Sequence, residues 1–269
     1  MELSSSIKVL HVDEYYPSRV LSVRLRSKRV TTPRRALTAS QGVYNESLLR
    51  AQQIHGLVEV YKRLKQERLF EALSNPYVIR RMSYSITRAL RHVELESELV
   101  VGFIEYSVIK KPLERYEVEF LVDFLNNPKF DLVFPPIIPK IGYEDYIMFL
   151  DNFLEVYQST SFHPILGVVI PHFSRAHISK LVDYYIEKEI LHNSFMSVDF
   201  NGGNPISQYM MVSMVVRKVR EAEKEIGYPI ILHGLNLKYG KATRRHSVVP
   251  AKDLLIFAMG FDSFGASHK

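Results

Sequence analysis

Short apolar runs recur through the last two thirds of the chain at intervals of roughly 30 residues. They are Glu98–Ile109, Phe130–Ile141, His163–Phe173, Ser194–Phe200, Tyr228–Leu237 and Leu255–Phe264. Between them lie amphipathic stretches with helical spacing. Leu113–Asn126 places Tyr116, Phe120, Leu121 and Phe124 on one face, and Tyr143–Tyr157 does so with Tyr146, Leu150, Phe153 and Tyr157. Ser174 is placed to cap a helix whose apolar face is Ile178, Leu181, Val182, Tyr185 and Ile186. Ser207–Ile226 ends at Gly227 and Pro229, and its Met210–Met214 run reads as core packing. The alternation predicts βα units around a parallel sheet.

The fold expected is an α/β (β/α)8 barrel, lacking its final helix unless the amino-terminal segment closes it. It would be a single domain over 1–269. Residues 1–97 form a basic amino-terminal β/helical portion and 98–269 the regular βα units. In the first part Ile7–Val12 reads as a strand and Ser18–Thr32 as β-rich. Asn45–Leu73 reads as one long helix, interrupted by Asn75-Pro76 before a second from Tyr77 to Val93.

Composition narrows the chemistry. The 269 residues include no Cys, which excludes disulfides, thiolate metal sites and a thiol nucleophile. Absent Cys and Trp beside abundant Tyr fit a thermophile. No apolar run is long enough to span a membrane, and Met-Glu-Leu-Ser-Ser-Ser has no signal-peptide layout, so a cytoplasmic protein is expected. The net charge of +6 is uneven: residues 1–97 hold 17 Lys and Arg against 9 Asp and Glu. Ser22–Arg35 contains Arg24, Arg26, Arg29, Arg34 and Arg35 and no acid. That run suits either contacts to the phosphates of RNA or DNA or an edge strand guarded by charge. Nucleic acid is the partner expected, and self-association is left open.

In a barrel, function sits at the carboxyl ends of the strands. Glu105, His172, Asp199, His233 and Asp262 end apolar runs and are expected to share one rim. Asp199 and Asp262 would supply a carboxylate nucleophile and an acid/base, with His233 beside them. Asp199-Phe-Asn-Gly-Gly-Asn-Pro205 offers Gly202, Gly203 and Asn204 as an anion cradle at a helix start, with His172 nearby. A metal-dependent hydrolase using His11, Asp13, His172, Asp199 and His233 is an alternative, although no spacing marks a metal site. A binding or scaffold protein without chemistry is another. No cofactor is expected.

Pro229-Ile-Ile-Leu-His-Gly-Leu-Asn236 and Pro250-Ala-Lys-Asp-Leu-Leu-Ile-Phe-Ala-Met-Gly-Phe-Asp-Ser-Phe264 resemble segments of the tRNA-guanine transglycosylase family. Leu166-Gly-Val-Val-Ile170 and Thr31-Thr32-Pro33 are similar to two of its other short motifs. The resemblance implies a (β/α)8 barrel that handles guanine in tRNA. It puts Gly265 where the family carries its nucleophilic Asp, and Ile170 where it carries a base-reading Gln. The family's Asp-Ser-Gly-Gly-Phe motif and zinc-binding Cys cluster have no counterpart. The function expected is a divergent transglycosylase-like barrel that binds nucleic acid or a nucleobase without the family's usual base exchange.

Overall fold

A computed structural model describes residues 5–38, 56–91, 93, 98–108, 113–161, 164–191, 195–238 and 252–268. The chain opens with an antiparallel meander of β1 (Ser5–Val12), β2 (Arg19–Leu25) and β3 (Lys28–Thr31). Parallel strands and helices follow. They are β4 (Arg34–Arg35), β5 (Leu37–Thr38), β6 (Gly56–Lys65), α1 (Gln66–Ser74), α2 (Pro76–Ala89), β7 (Glu98–Ser107), α3 (Arg115–Leu125) and β8 (Leu132–Val133). Next come α4 (Tyr143–Ser159), β9 (Ile165–Leu166), β10 (Val168–Ile170), α5 (Arg175–Glu187), β11 (Phe195–Asp199), α6 (Tyr209–Ile226), β12 (Ile231–Leu237), α7 (Leu255–Ala258) and β13 (Ser263–Ala266).

The result is a mixed α/β protein with two five-stranded parallel sheets, ordered β5-β6-β7-β8-β9 and β10-β11-β12-β13-β4. Only Ala36 separates β4 from β5, and only Gly167 separates β9 from β10. At both places the hydrogen bonding of the strand runs on into the linking residue: Ala36 N donates to Phe264 O (2.7 Å) and Gly167 N to Val133 O (2.8 Å). A side chain at Gly167 would put its Cβ 2.4 Å from the Phe134 ring, so glycine is what lets the chain pass there. No helix among the described residues is long and apolar enough to cross a membrane.

Strand alternation divides the core in two. On β6, Val58, Val60 and Leu64 pack into a large cluster with the apolar faces of the helices. Leu57 and Tyr61 point the other way, into a cluster that joins both sheets through Leu99, Val101, Phe103, Phe134, Val169 and Leu235. Helix ends follow the chain's local signals. The Asn75 side chain accepts from Tyr77 N (3.1 Å) with Pro76 beside it, Ser174 caps α5, and Gly227 stops α6 at φ +74°.

The meander closes the amino ends of the strands. Leu21, Val23, Leu25 and Val30 join the inner cluster. Lys28 Nζ donates to Glu98 O (2.6 Å) and to Asp131 Oδ2 (2.5 Å). Arg19 donates to Asp262 Oδ1 (2.9 Å) and Oδ2 (3.1 Å), to Ile230 O (2.6 Å) and to Glu223 (3.1 Å). Glu98 opens β7, while Asp131, Ile230 and Asp262 each precede a strand.

Three expectations are corrected. The helix read across Asn45–Leu73 is the strand β6 from Gly56 and a helix only from Gln66 to Ser74; residues 45–55 lie outside the described residues. The run Leu255–Phe264 is a one-turn helix followed by a strand that starts only at Ser263. The Met210–Met214 run is core only in part: Val212 is buried and Met211 and Met214 pack against the core, while Met210 is 62% exposed.

Candidate functional site

Glu59 lies on the inner side of β6, 1% exposed, and among the described residues its ion-pair partners are histidines. Two imidazoles hold it. His268 Nε2 is 2.7 Å from Oε2, and His233 Nε2 is 2.7 Å from Oε1. The His233 approach is poorly directed for a hydrogen bond, so it counts as a close charge contact. His233 Nδ1 meets Ser263 Oγ at 2.9 Å. Gly265 makes room for the carboxylate: a Cβ there would fall 1.6 Å from Glu59 Oε1.

Burial pushes the Glu59 carboxyl up, but His233 and His268 outweigh it and hold the group below its ordinary value. A depressed carboxyl stabilises the fold above its unfolded value, about pH 4.3, and that stabilisation is lost as pH falls through the folded value. Urea unfolding between pH 3 and 7 is therefore expected to show a steeper acid loss for the wild type than for Glu59→Gln. Parallel curves would contradict this assignment.

A second cluster adjoins the first. Tyr61 donates to Glu105 Oε2 (2.6 Å), and its ring stacks on His268 at 4.5 Å between centroids and 4° between planes. Burial and then the bond to Glu105 push the Tyr61 phenol far up, so it stays a neutral donor. Asn236 donates from Nδ2 to Asp199 Oδ1 (2.8 Å) and accepts from His268 N (3.1 Å). Its backbone sits at φ +58°, where the β12–β13 register shifts, and this irregularity aims the side chain inward. Arg63 donates to His268 O (2.6 Å) and lies 3.5 Å from Glu105.

The expected residues divide. Glu105, Asp199 and His233 belong to this network at the carboxyl ends of the strands. Asp262 does not: it precedes β13, accepts from Leu232 N (2.9 Å) and pairs with Arg19 at the amino ends, so it shares no rim with Asp199. The late start of β13, after a helical turn, is the reason. His172 is exposed and lines, with Asp199 and Arg175, an adjoining cleft of about 320 Å3.

The Gly202-Gly203 turn is not an open anion cradle. Gly202 N donates to Asn236 O (2.9 Å), Gly203 N to Phe200 O (2.8 Å) and Asn204 N to Ser207 Oγ (3.3 Å), and the helix starts only at Tyr209. The basic run is split as well. Arg24 and Arg29 are cross-strand neighbours on the exposed face of the meander, Arg26 is partly buried 4.0 Å from Asp131, and Arg34 and Arg35 form β4. His11 is on β1 and Asp13 just beyond it, where the Asp13 side chain accepts from Tyr15 and Tyr16 N. Among the described residues no group of three or more His, Asp or Glu is arranged so that it could hold a metal ion.

No protein-family model matches the chain, and no curated protein sequence does.

Glu59, Tyr61, Arg63, Asn236, Ser263 and His268 were not among the candidates from sequence. The first three are on β6, hidden by its helical reading. The signal that could have found them is the alternation of Val58 and Val60 with Glu59 and Tyr61, a strand period within that run. The arrangement can do two things. Glu59 between two imidazoles, one bonded to Ser263, can hold and pass a proton. Tyr61 offers a flat face beside that carboxylate.

Proposed function

We propose that the two sheets are halves of one closed eight-stranded (β/α)8-type barrel. Its carboxyl-side opening binds a planar heterocycle of the nucleobase kind, free or within a nucleic acid, in the manner of a divergent transglycosylase-like protein. The running-on of hydrogen bonds at Ala36 and Gly167 supports the closure. The observation that carries the binding is the seating of His268. A flat nitrogen ring lies on Tyr61 with a ring nitrogen against the Glu59 carboxylate, while Asn236 and Arg63 bond the flanking polar atoms. A nucleobase offers the same set: a π-face, ring N–H donors and an exocyclic acceptor. Base exchange through position 265 is not part of the proposal, because Glu59 fills the space a side chain there would need.

His268 must leave for such a ligand to enter. Removing the imidazole by His268→Ala is expected to strengthen binding of guanosine by about tenfold or more, equivalent to about 1.4 kcal/mol. Tyr61→Ala in the same background should weaken it by about 1–3 kcal/mol, the worth of one base stack. Titration calorimetry reads both. No heat with guanosine, guanine or adenosine for either protein would overturn the reading.

A further inference from the structure

The surface beside that opening is formed by α1 and α2. Residues 76–89 of α2 contain Arg80, Arg81 and Arg88 and no acid. Tyr77, Arg81, Tyr84 and Arg88 follow one another at i, i+4, i+7 and i+11, which sets them on a single stripe of the helix. The stripe faces solvent because α2 buries Val78, Met82 and Ile86 on another side, leaving Tyr77 71% and Tyr84 66% exposed. Alongside runs a cleft of about 580 Å3, lined by Arg63, Lys65, Arg68 and Arg81, with Glu67 and Glu71 its acids. Burial and then the nearby Arg88 lower the Lys62 pKa.

We infer that α2 and this cleft form a track for single-stranded nucleic acid, with the arginines on phosphates and Tyr77 and Tyr84 as stacking platforms. Cations interleaved with exposed aromatics are what such strands need, since every base has a π-face and every link a phosphate. The track leads to the opening through Arg63, which lines the cleft and also bonds His268 O. The inference rests on the proposed base-binding reading only for where the track leads.

Fluorescein-labelled 12-mers of oligouridylate and oligothymidylate, titrated by anisotropy over a range of KCl concentrations, test it. Each phosphate contact on a single strand contributes about 0.7 to the log–log salt slope. Arg81→Ala/Arg88→Ala should therefore flatten the slope by about 1.4. Tyr77→Ala/Tyr84→Ala should weaken binding about fivefold or more at every salt concentration with the slope unchanged, as expected for lost stacking. Arg24→Ala/Arg29→Ala, on the exposed face of the meander, should change neither. An unchanged slope in the α2 arginine variant, a slope change confined to Arg24→Ala/Arg29→Ala, or binding only to phosphatidylserine vesicles would overturn the inference. Guanosine titration of His268→Ala reports on the opening separately. Its failure beside a positive oligonucleotide result would remove the base site and leave the track standing.

Discussion

Replacing Arg19 by methionine is expected to cost about 3–5 kcal/mol of stability, the penalty for leaving a buried charge without its partner. Arg19 is 8% exposed, and Asp262, which takes two of its hydrogen bonds, is completely buried. The same side chain reaches Ile230 O and Glu223, so it joins the meander to β12, β13 and α6 at once. Methionine keeps much of the stem's packing and removes only the charge and its donors. Urea unfolding with a common slope gives the comparison. Arg24→Ala, on the exposed face of the same strand, serves as reference and should stay within about 0.5 kcal/mol of wild type. A loss below about 1 kcal/mol for Arg19→Met would mean that the meander docks by its apolar face alone.

Gly265→Ala is the second large effect. The added methyl group would fall 1.6 Å from Glu59 Oε1 and 2.1 Å from its Cδ, and neither β6 nor β13 is free to retreat. Overpacking of this kind costs about 3 kcal/mol, at the upper end of the usual range. Glu59→Ala opens the space, so the double variant Glu59→Ala/Gly265→Ala should recover most of that loss. Unfolding of all four proteins gives the coupling, expected at about 1–3 kcal/mol for two groups that compete for one volume. Additive losses would show that position 265 is strained for another reason.

Much of the architecture was legible in the sequence. Helices α3 to α6 announce themselves by apolar spacing, and Asn75-Pro76, Ser174 and Gly227 mark ends that depend on local backbone chemistry alone. Asp199, Glu105 and His233 stand out in the sequence because they follow or sit within clear apolar runs. What escaped was whatever depends on distant partners. Gly56–Lys65 has apolar residues on both faces, since one face meets helices and the other the inner cluster, and such a run imitates a helical pattern. Asp262 looked like the end of a strand because a single helical turn at Leu255 carries as many apolar residues as a strand would. His268 had no local pattern at all. Its place is set by Tyr61, Asn236, Arg63 and Glu59, which come from two strands far from it in sequence. The two-way use of Gly265, as gap for a neighbour's carboxylate, is likewise invisible without the neighbour.

The alternation along β6 also works as a depth gauge. Its inward positions, about 7 Å apart along the strand, run from Arg63 through Tyr61 and Glu59 to Leu57. Exposure drops along the way, from a half-open Arg63 side chain to Glu59 at 1%, and Leu57 below it is likewise buried. From the outside inward these positions thus present a charge, a flat ring, a carboxylate and at last a floor of hydrocarbon. The levels are not independent, because His268 touches Arg63, Tyr61 and Glu59 in turn, so a change at one depth is felt at the others.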